Sequence, residues 1–375
     1  MSTKNLDELR LELDRVDKQL AALFEERMQI CEEVAEFKKA NNRKVFDKER
    51  EEAKLNAVRE LVDGELNKKG VAEIFTQLMS ISRKLQYRKL SESMELRLPF
   101  IPVDELDMTA HVVYQGAEGS YSQAATETFF NRRDNISHVD TFRDAMQTLD
   151  EGTAAFAVLP IENSTAGIVN EIYDLLAEYE HFIVGEQMLE ISHCLLGAKG
   201  ADINDIRTVY AHPQALMQCE HFLRDKSWEQ ISMKNNAFAA KKVADEADKS
   251  QAAIAGAHAA DYYGLDILKR GINQEGNNTT RFIVVSNQKI FRRDAKMISL
   301  CFELPHRSGA LYHILSHFIY NDLNMTKIES RPVEDRKWEY RFFLDFEGNL
   351  SDPSVRNALC GLREETKNLR VLGNY

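Results

Sequence analysis

Leu6, Leu9, Leu13, Val16, Leu20, Leu23, Arg27, Ile30, Val34 and Phe37 follow one another at spacings of three and four. That period dictates one long amphipathic helix with a heptad-like seam. From Leu6 to Lys39 such a helix extends roughly 50 Å at about 1.5 Å per residue, more than a helical domain of about 90 residues covers by itself. The seam therefore requires a second copy of the chain. Only one of its positions is polar, Arg27, and a guanidinium in a dry seam needs an anion. Spacing alone is met by a structural ion pair, by a side chain snorkelling to the stripe edge, or by a bound anion.

Further polar groups converge on that seam. Arg10 and Lys38 border it on the same helix. Residues 47–64 read as a second helix, with Asp47 as N-cap and Gly64 at its end, and Asp47, Glu51, Leu55, Val58 and Val62 share one side. A third helix from about Val71 carries Val71, Phe75, Leu78, Ser82, Leu85 and Gln86 along one flank, which sets Ser82 and Gln86 a turn apart beside the core. Residues 1–92 resemble the all-helical chorismate mutase domain, because Arg10, Arg27, Lys38, Asp47, Arg50, Glu51, Ser82 and Gln86 stand at that family's active-site positions. The resemblance implies that chorismate, a dianion, is rearranged to prephenate by a pericyclic shift. Such a step needs no nucleophile or cofactor, only a held conformer and stabilised charge. It assigns Arg10 and Arg27 to the two carboxylates, Lys38 and Gln86 to the ether oxygen, Asp47 and Glu51 to the ring hydroxyl, and Arg50 and Ser82 to the pocket wall. It also implies two interlocked chains, Arg10 entering the partner's site.

A net charge of −12 argues against general nucleic-acid binding and leaves small anions to be gathered by local cations. The five cysteines, Cys31, Cys194, Cys219, Cys301 and Cys360, are scattered and lack metal-ligand spacing, so they read as reduced, buried thiols with no metal. With a polar start at Met1–Asp7 and no apolar run of about 18 residues, the expectation is a cytoplasmic protein with no membrane partner.

The helical period stops after the third helix. Residues 93–108, with Pro99 and Pro102, read as a linker. From 109 to 287 short apolar runs at 111–114, 154–159, 206–210, 252–255 and 282–285 alternate with helical stretches, the pattern of an open α/β domain. After a polar segment near 287–296, Ile298, Leu300, Phe302 and Leu304 alternate as a strand. A helix from about Ser308, two strands, a helix near 353–366 and a last strand follow, so that 295–375 has a βαββαβ, ferredoxin-like order. The fold class is thus multidomain: all-α, then α/β, then ferredoxin-like.

In open α/β sheets ligands bind beyond strand carboxyl ends, near helix N-termini. Two loops fit: Pro160–Gly167 with Asn163, Ser164 and Thr165, and Ala211–Gln214 with His212. A third polar turn contains Gly116, Gly119 and Ser120. Helix capping and a satisfied structural histidine explain these groups equally well. Residues 109–287 are similar to prephenate dehydratase, a fold of two α/β lobes around a cleft, through the run Asn278, Thr279, Thr280, Arg281, Phe282. That resemblance gives Thr280 the catalytic role and makes Asn163 and Gln214 substrate contacts, with Ser120, Ser164 and His212 as neighbours. Residues 295–375 resemble an ACT domain through Gly309, Ala310 and Leu311 at a helix start and Glu329, Ser330 and Arg331 on a strand. This implies phenylalanine as effector, bound at those residues in a homodimer or higher even assembly. The alternatives are a non-catalytic sensor of aromatic metabolites, disfavoured by Thr280, Asp47 and Glu51, and an enzyme preferring arogenate to prephenate.

Overall fold

The computed structural model describes residues 5–375 apart from 42, 92–98, 275, 305, 307, 308, 334, 335, 337 and 338. The stripe is one helix, α1 (Leu6–Ala40), opened by a capping box in which Asn5 accepts from the Glu8 amide and Glu8 from the Asn5 amide. Acidic residues fill its first turn and lysines its last, matching the helix dipole. Asp47 caps α2 (Lys48–Arg59) by accepting from the Arg50 amide at 3.1 Å. This helix stops at Arg59, five residues before the expected Gly64, and α3 (Glu65–Ser91) starts six residues before Val71. Gly64, at φ +84°, makes the corner, and its carbonyl already accepts from the Lys68 amide, so the ladder begins there and passes through Gly70.

The seam of α1 is open in the single chain. Leu13, Leu20 and Leu23 are 62%, 59% and 61% exposed, and the only buried residue of the helix is Ala35. Exposed apolar stripes of this length are characteristic of interaction surfaces.

The chain divides into two compact units, Met1–Leu98 with Leu300–Arg370, and Pro99–Ser299 with Val371–Tyr375. The helical and C-terminal regions therefore form one body, where the sequence suggested two. The linker reading also changes: residues 92–98 lie outside the described residues, and beyond them β1 (Ile101–Val103) already belongs to the second unit.

That unit continues with β2 (Val112–Gln115), α4 (Tyr121–Phe130), β3 (Ile136–Val139), α5 (Phe142–Asp150), β4 (Phe156–Asn163), β5 (Gly167–Ile168), α6 (Asn170–Glu178) and β6 (Phe182–Glu190). The chain then enters a second lobe: β7 (His193–Gly197), β8 (Thr208–Ala211), α7 (Pro213–Gln218), α8 (Glu220–Arg224), β9 (Glu229–Ser232), α9 (Asn236–Glu246), β10 (Gln251–Gly256), α10 (Ala257–Tyr263) and β11 (Asp266–Lys269). It returns through β12 (Thr279–Ser286), and β13 (Ile290–Arg292) pairs in parallel with β1. The lobe sheets are ordered β3-β2-β4-β12-β6 and β11-β7-β10-β8-β9. Both faces of the second sheet are covered: Leu195, Val209 and Ile254 pack with Ala215 and Leu223, while their neighbours Leu196, Tyr210 and Ala253 pack with Ala240 and Val243.

The C-terminal region has the expected order, β14 (Met297–Glu303), α11 (Ala310–Tyr320), β15 (Met325–Pro332), β16 (Tyr340–Glu347), α12 (Pro353–Glu365) and β17 (Lys367–Asn374), with strands arranged β15-β16-β14-β17. Ser308, the expected helix start, lies outside the described residues. All five cysteines are free thiols, three buried and two half-buried, and burial pushes Cys219 up to about 12. Among the described residues no helix is long and apolar enough to cross a membrane.

Within the first unit α3 packs on α12. Burial alone would raise the Glu365 carboxyl, but His317 and Arg83 outweigh it and hold it at about 2. A depressed carboxyl contributes stability that is complete above its unfolded value, near 4.5, and is lost as pH falls through the folded one. The advantage of the parent over Glu365→Gln should therefore be on the order of 3 kcal/mol at pH 7 and shrink between pH 4.5 and about 2. Urea unfolding followed by circular dichroism at stepped pH measures this, and a gap independent of pH would refute it.

Candidate active sites

In the helical region Arg27 reaches from α1 to α3. Its Nη1 donates to the Leu78 carbonyl at 3.2 Å and to Ser82 Oγ on α3. Ser82 and Gln86 are buried, and Gln86 Oε1 has no partner among the described residues. At the other end of the seam Lys38 Nζ donates to the Val45 carbonyl at 2.6 Å. Burial lowers the Lys38 pKa, opposed by the charges of Glu364, Asp47 and Glu51, so Asp47, Glu51 and Arg50 all act on this amine. Both oxygens of Glu51 face Arg83 Nη1, at 2.5 and 2.6 Å. Arg10 stands apart: seventeen residues from Arg27 along one helix is about 25 Å, and Arg10 is exposed beside Asp7 at 3.3 Å.

The second candidate lies between the lobes, in a cleft of about 680 Å³ lined by Ser120, Asn163, His193, His212, Gln214, Gln218, Lys234, Thr280 and Phe282 among others. Three helices, α4, α7 and α9, begin at its wall through Ser120, His212 and Asn235, so the cleft collects free backbone N–H groups. Antiparallel pairing of β12 with β4 sets Thr280 opposite Asn163. Asn163 Nδ2 donates to Thr280 Oγ1 at 2.8 Å and to Asn278 Oδ1 at 2.7 Å, while its Oδ1 accepts from Thr165 Oγ1 and from the amides of Thr165 and Ala166. With Oγ1 already accepting, the Thr280 O–H is left as a donor. Thr279 points to the other sheet face and is not part of the cleft wall.

A second chain of bonds crosses the cleft. Gln218 Nε2 donates to Thr165 Oγ1 at 2.9 Å, Gln218 Oε1 lies 2.9 Å from His193 Nε2, and Tyr121 OH lies 2.9 Å from His193 Nδ1. Burial lowers the pKa of His193 and of His212, favouring neutral rings. His212 caps α7 through Nδ1 and also lines the cleft, as does Ser120, the cap of α4. Ser164 does not line it; it braces the backbone, donating to the Asn277 carbonyl and accepting from the Thr279 amide, both at 3.0 Å.

The chorismate mutase type II family model matches residues 9–87 and the prephenate dehydratase model residues 112–290. A bifunctional chorismate mutase/prephenate dehydratase of Neisseria gonorrhoeae is 33% identical over 379 residues, covering 100% of this chain and 98% of that one. The chain belongs to the bifunctional chorismate mutase/prephenate dehydratase family. Among solved structures, a prephenate dehydratase from Arthrobacter aurescens in complex with L-Phe is 27% identical, at TM-score 0.64 over 71% of this chain and 89% of that one. Another, described as a novel type of quorum-quenching acylase, is 32% identical, at TM-score 0.63 over 70% of this chain and 97% of that one.

The remaining motif residues of this bifunctional chain lie in the C-terminal region. Gly309 opens α11 at φ +76°, Ala310 is buried and Leu311 half-buried. Glu329, Ser330 and Arg331 lie on β15, at the edge of the sheet, with Ser330 exposed. Sequence reading missed Arg83, His193, Gln218 and Lys234. Lys234 had a usable signal, since it immediately precedes the Asn235 cap of α9; the other three acquire their roles from partners on distant segments.

Asn163→Asp preserves shape but removes the three Nδ2 bonds, to Asn278 Oδ1, Thr280 Oγ1 and the Thr279 carbonyl, and sets a carboxylate against Asn278 Oδ1. It should lower the stability of the middle unit by about 1 to 3 kcal/mol. Urea unfolding followed by Trp228 fluorescence reads this, and an unchanged midpoint would mean that the amide network is dispensable.

Proposed function

We propose that the seam of the helical region carries the chorismate mutase activity of this family, and the two-lobed cleft its prephenate dehydratase activity. The chain makes prephenate from chorismate and phenylpyruvate from prephenate, two steps of phenylalanine biosynthesis. The observation that carries this reading is the presence, on one chain, of a cationic seam at Arg27 and Lys38 and a separate cleft in which Asn163 holds the Thr280 hydroxyl at 2.8 Å.

In the mutase step Arg27 and Arg10 take the two carboxylates, Lys38 and Gln86 the ether oxygen as it gains charge, and Asp47 and Glu51 the ring hydroxyl; Arg50 and Ser82 complete the wall. Fixed cations lower the barrier because they oppose charge that develops only in the transition state. The distance of Arg10 from Arg27 and the open α1 seam support a homodimer, or a higher even assembly, with Arg10 supplied by the second copy.

In the dehydratase step the ring C–CO₂ bond breaks, its electron pair aromatises the ring, and the ring C–O bond breaks with protonation of the leaving oxygen. Thr280 Oγ1–H is the hydrogen-bond donor to that oxygen, relaying a proton without ionising outright. Gln214, His212, Ser120, Lys234 and the helix N-termini hold the carboxylates. Ser164 supports the loop from behind. The C-terminal region is read as an ACT domain that binds phenylalanine through Gly309, Ala310, Leu311, Glu329, Ser330 and Arg331 and thereby restrains the dehydratase. Its ferredoxin-like strand order and the L-Phe bound by the Arthrobacter relative support this.

Arg27→Ala should lower mutase kcat/KM on the order of 100- to 1,000-fold and leave dehydration of added prephenate near the parental rate; Thr280→Ala should do the reverse. Assaying both variants with chorismate and with prephenate decides it, and equal loss of both activities in a folded variant rules out separate sites. A charge in the open seam tests the assembly: Leu20→Glu should give monomers by analytical ultracentrifugation and lose mutase activity while dehydration persists. A dimeric, mutase-active Leu20→Glu protein would exclude the seam as the interface.

A further inference from the structure

Glu364 and Glu365 end α12, where the helix dipole disfavours acidic residues. Something outside that helix must hold them, and it comes from the helical region. Arg83 Nε donates to Glu365 Oε1 at 2.9 Å, and Tyr87 OH and the Phe46 amide both donate to Glu364 Oε2 at 2.9 Å. The far end of the same Arg83 is the group that grips both oxygens of Glu51. A single guanidinium thus spans from the C-terminal helix to a carboxylate of the proposed mutase pocket.

That guanidinium is also packed in place. The Arg83 and Glu365 side chains are only 8% and 3% exposed, and the Phe46 ring lies 5.1 Å from the guanidinium carbon. His317 Nε2 stands 3.2 Å from Glu365 Oε1, its ring packed so tightly on Gly361 that a Cβ there would fall 2.3 Å from it. Glu364 is also the carboxylate that acts most strongly on Lys38, a second pocket residue. A pair serving only to join two regions could be replaced by apolar residues at little loss, since desolvation consumes most of the Coulombic gain. What apolar residues could not do is orient Glu51.

We propose that Arg83 and Glu365 are positioning residues for the mutase reaction: Glu365 fixes Arg83, and Arg83 fixes the Glu51 carboxylate where it meets the ring hydroxyl of chorismate. The C-terminal ferredoxin-like region is then a working part of the mutase site. This rests on the mutase reading of the helical region.

The test is a double-mutant cycle in the full chain. Glu365→Gln should lower mutase kcat about 10- to 100-fold, as misplacement of a contact by about 1 Å does, with KM within about two-fold. Dehydration of added prephenate, which does not use this group, should stay at the parental rate and report a folded chain. In a Glu51→Gln background, Glu365→Gln should change kcat less than about two-fold, because its path to the substrate is already cut. Arg83→Lys, which keeps the charge and loses the two-ended grip, gives the same readout should Glu365→Gln not fold. Parental kcat in both variants, or an undiminished effect in the Glu51→Gln background, overturns the proposal. Failure of the unmodified chain to rearrange chorismate overturns the mutase reading instead, and is seen before any variant is made.

Discussion

Charge removed from water has to be answered by an opposite charge or by hydrogen bonds, and this molecule uses a different answer in each unit. In the helical unit the answer is ionic: Arg83 between Glu51 and Glu365, with Lys38 facing Asp47, Glu51 and Glu364. Glu303 repeats the solution, its burial outweighed by bonds from Arg336, Arg341 and Asn368 that keep its carboxyl below the usual range. In the cleft of the two-lobed unit the answer is neutral. Asn163, Thr165, Gln218 and Thr280 satisfy one another, and helix N-termini supply positive potential without many cations.

The contrast suits the two reactions. A pericyclic shift has no proton to move, and fixed charges act on it by opposing charge that develops in the transition state. Loss of water and carbon dioxide requires a proton at one oxygen and room for the ring to flatten. In the proposed assignment the Thr280 hydroxyl, in a cleft between lobes, serves that need, and the bond from Gln218 to Thr165 ties the lobes across the cleft. In a chain of net charge −12 both arrangements concentrate positive potential where an anion must enter.

Much of this was legible in the residues. The period of α1, the Asp47 cap and the βαββαβ order follow from local rules, and the run from Asn278 to Phe282 located the strand on which Thr280 sits. Helix ends were less legible: Gly64 makes a corner between α2 and α3 instead of ending the first of them, because its carbonyl starts the next ladder. Residues 101–103 look like part of a proline-containing spacer and become a strand because β13, nearly 190 residues on, offers an edge.

By itself the sequence determined which segments are helical or extended, that the first helix is too long for its own chain to cover, and which side chains could act on an anion. Those properties depend on neighbours within a few residues, through backbone sterics, capping and hydrophobic period. The tertiary structure alone decided that the helical and C-terminal regions form one body, that Asn163 and Thr280 meet across paired strands, and that Arg83 is shared by partners 32 and 282 residues away. A buried charge takes its meaning from what surrounds it in space, and no local pattern records that.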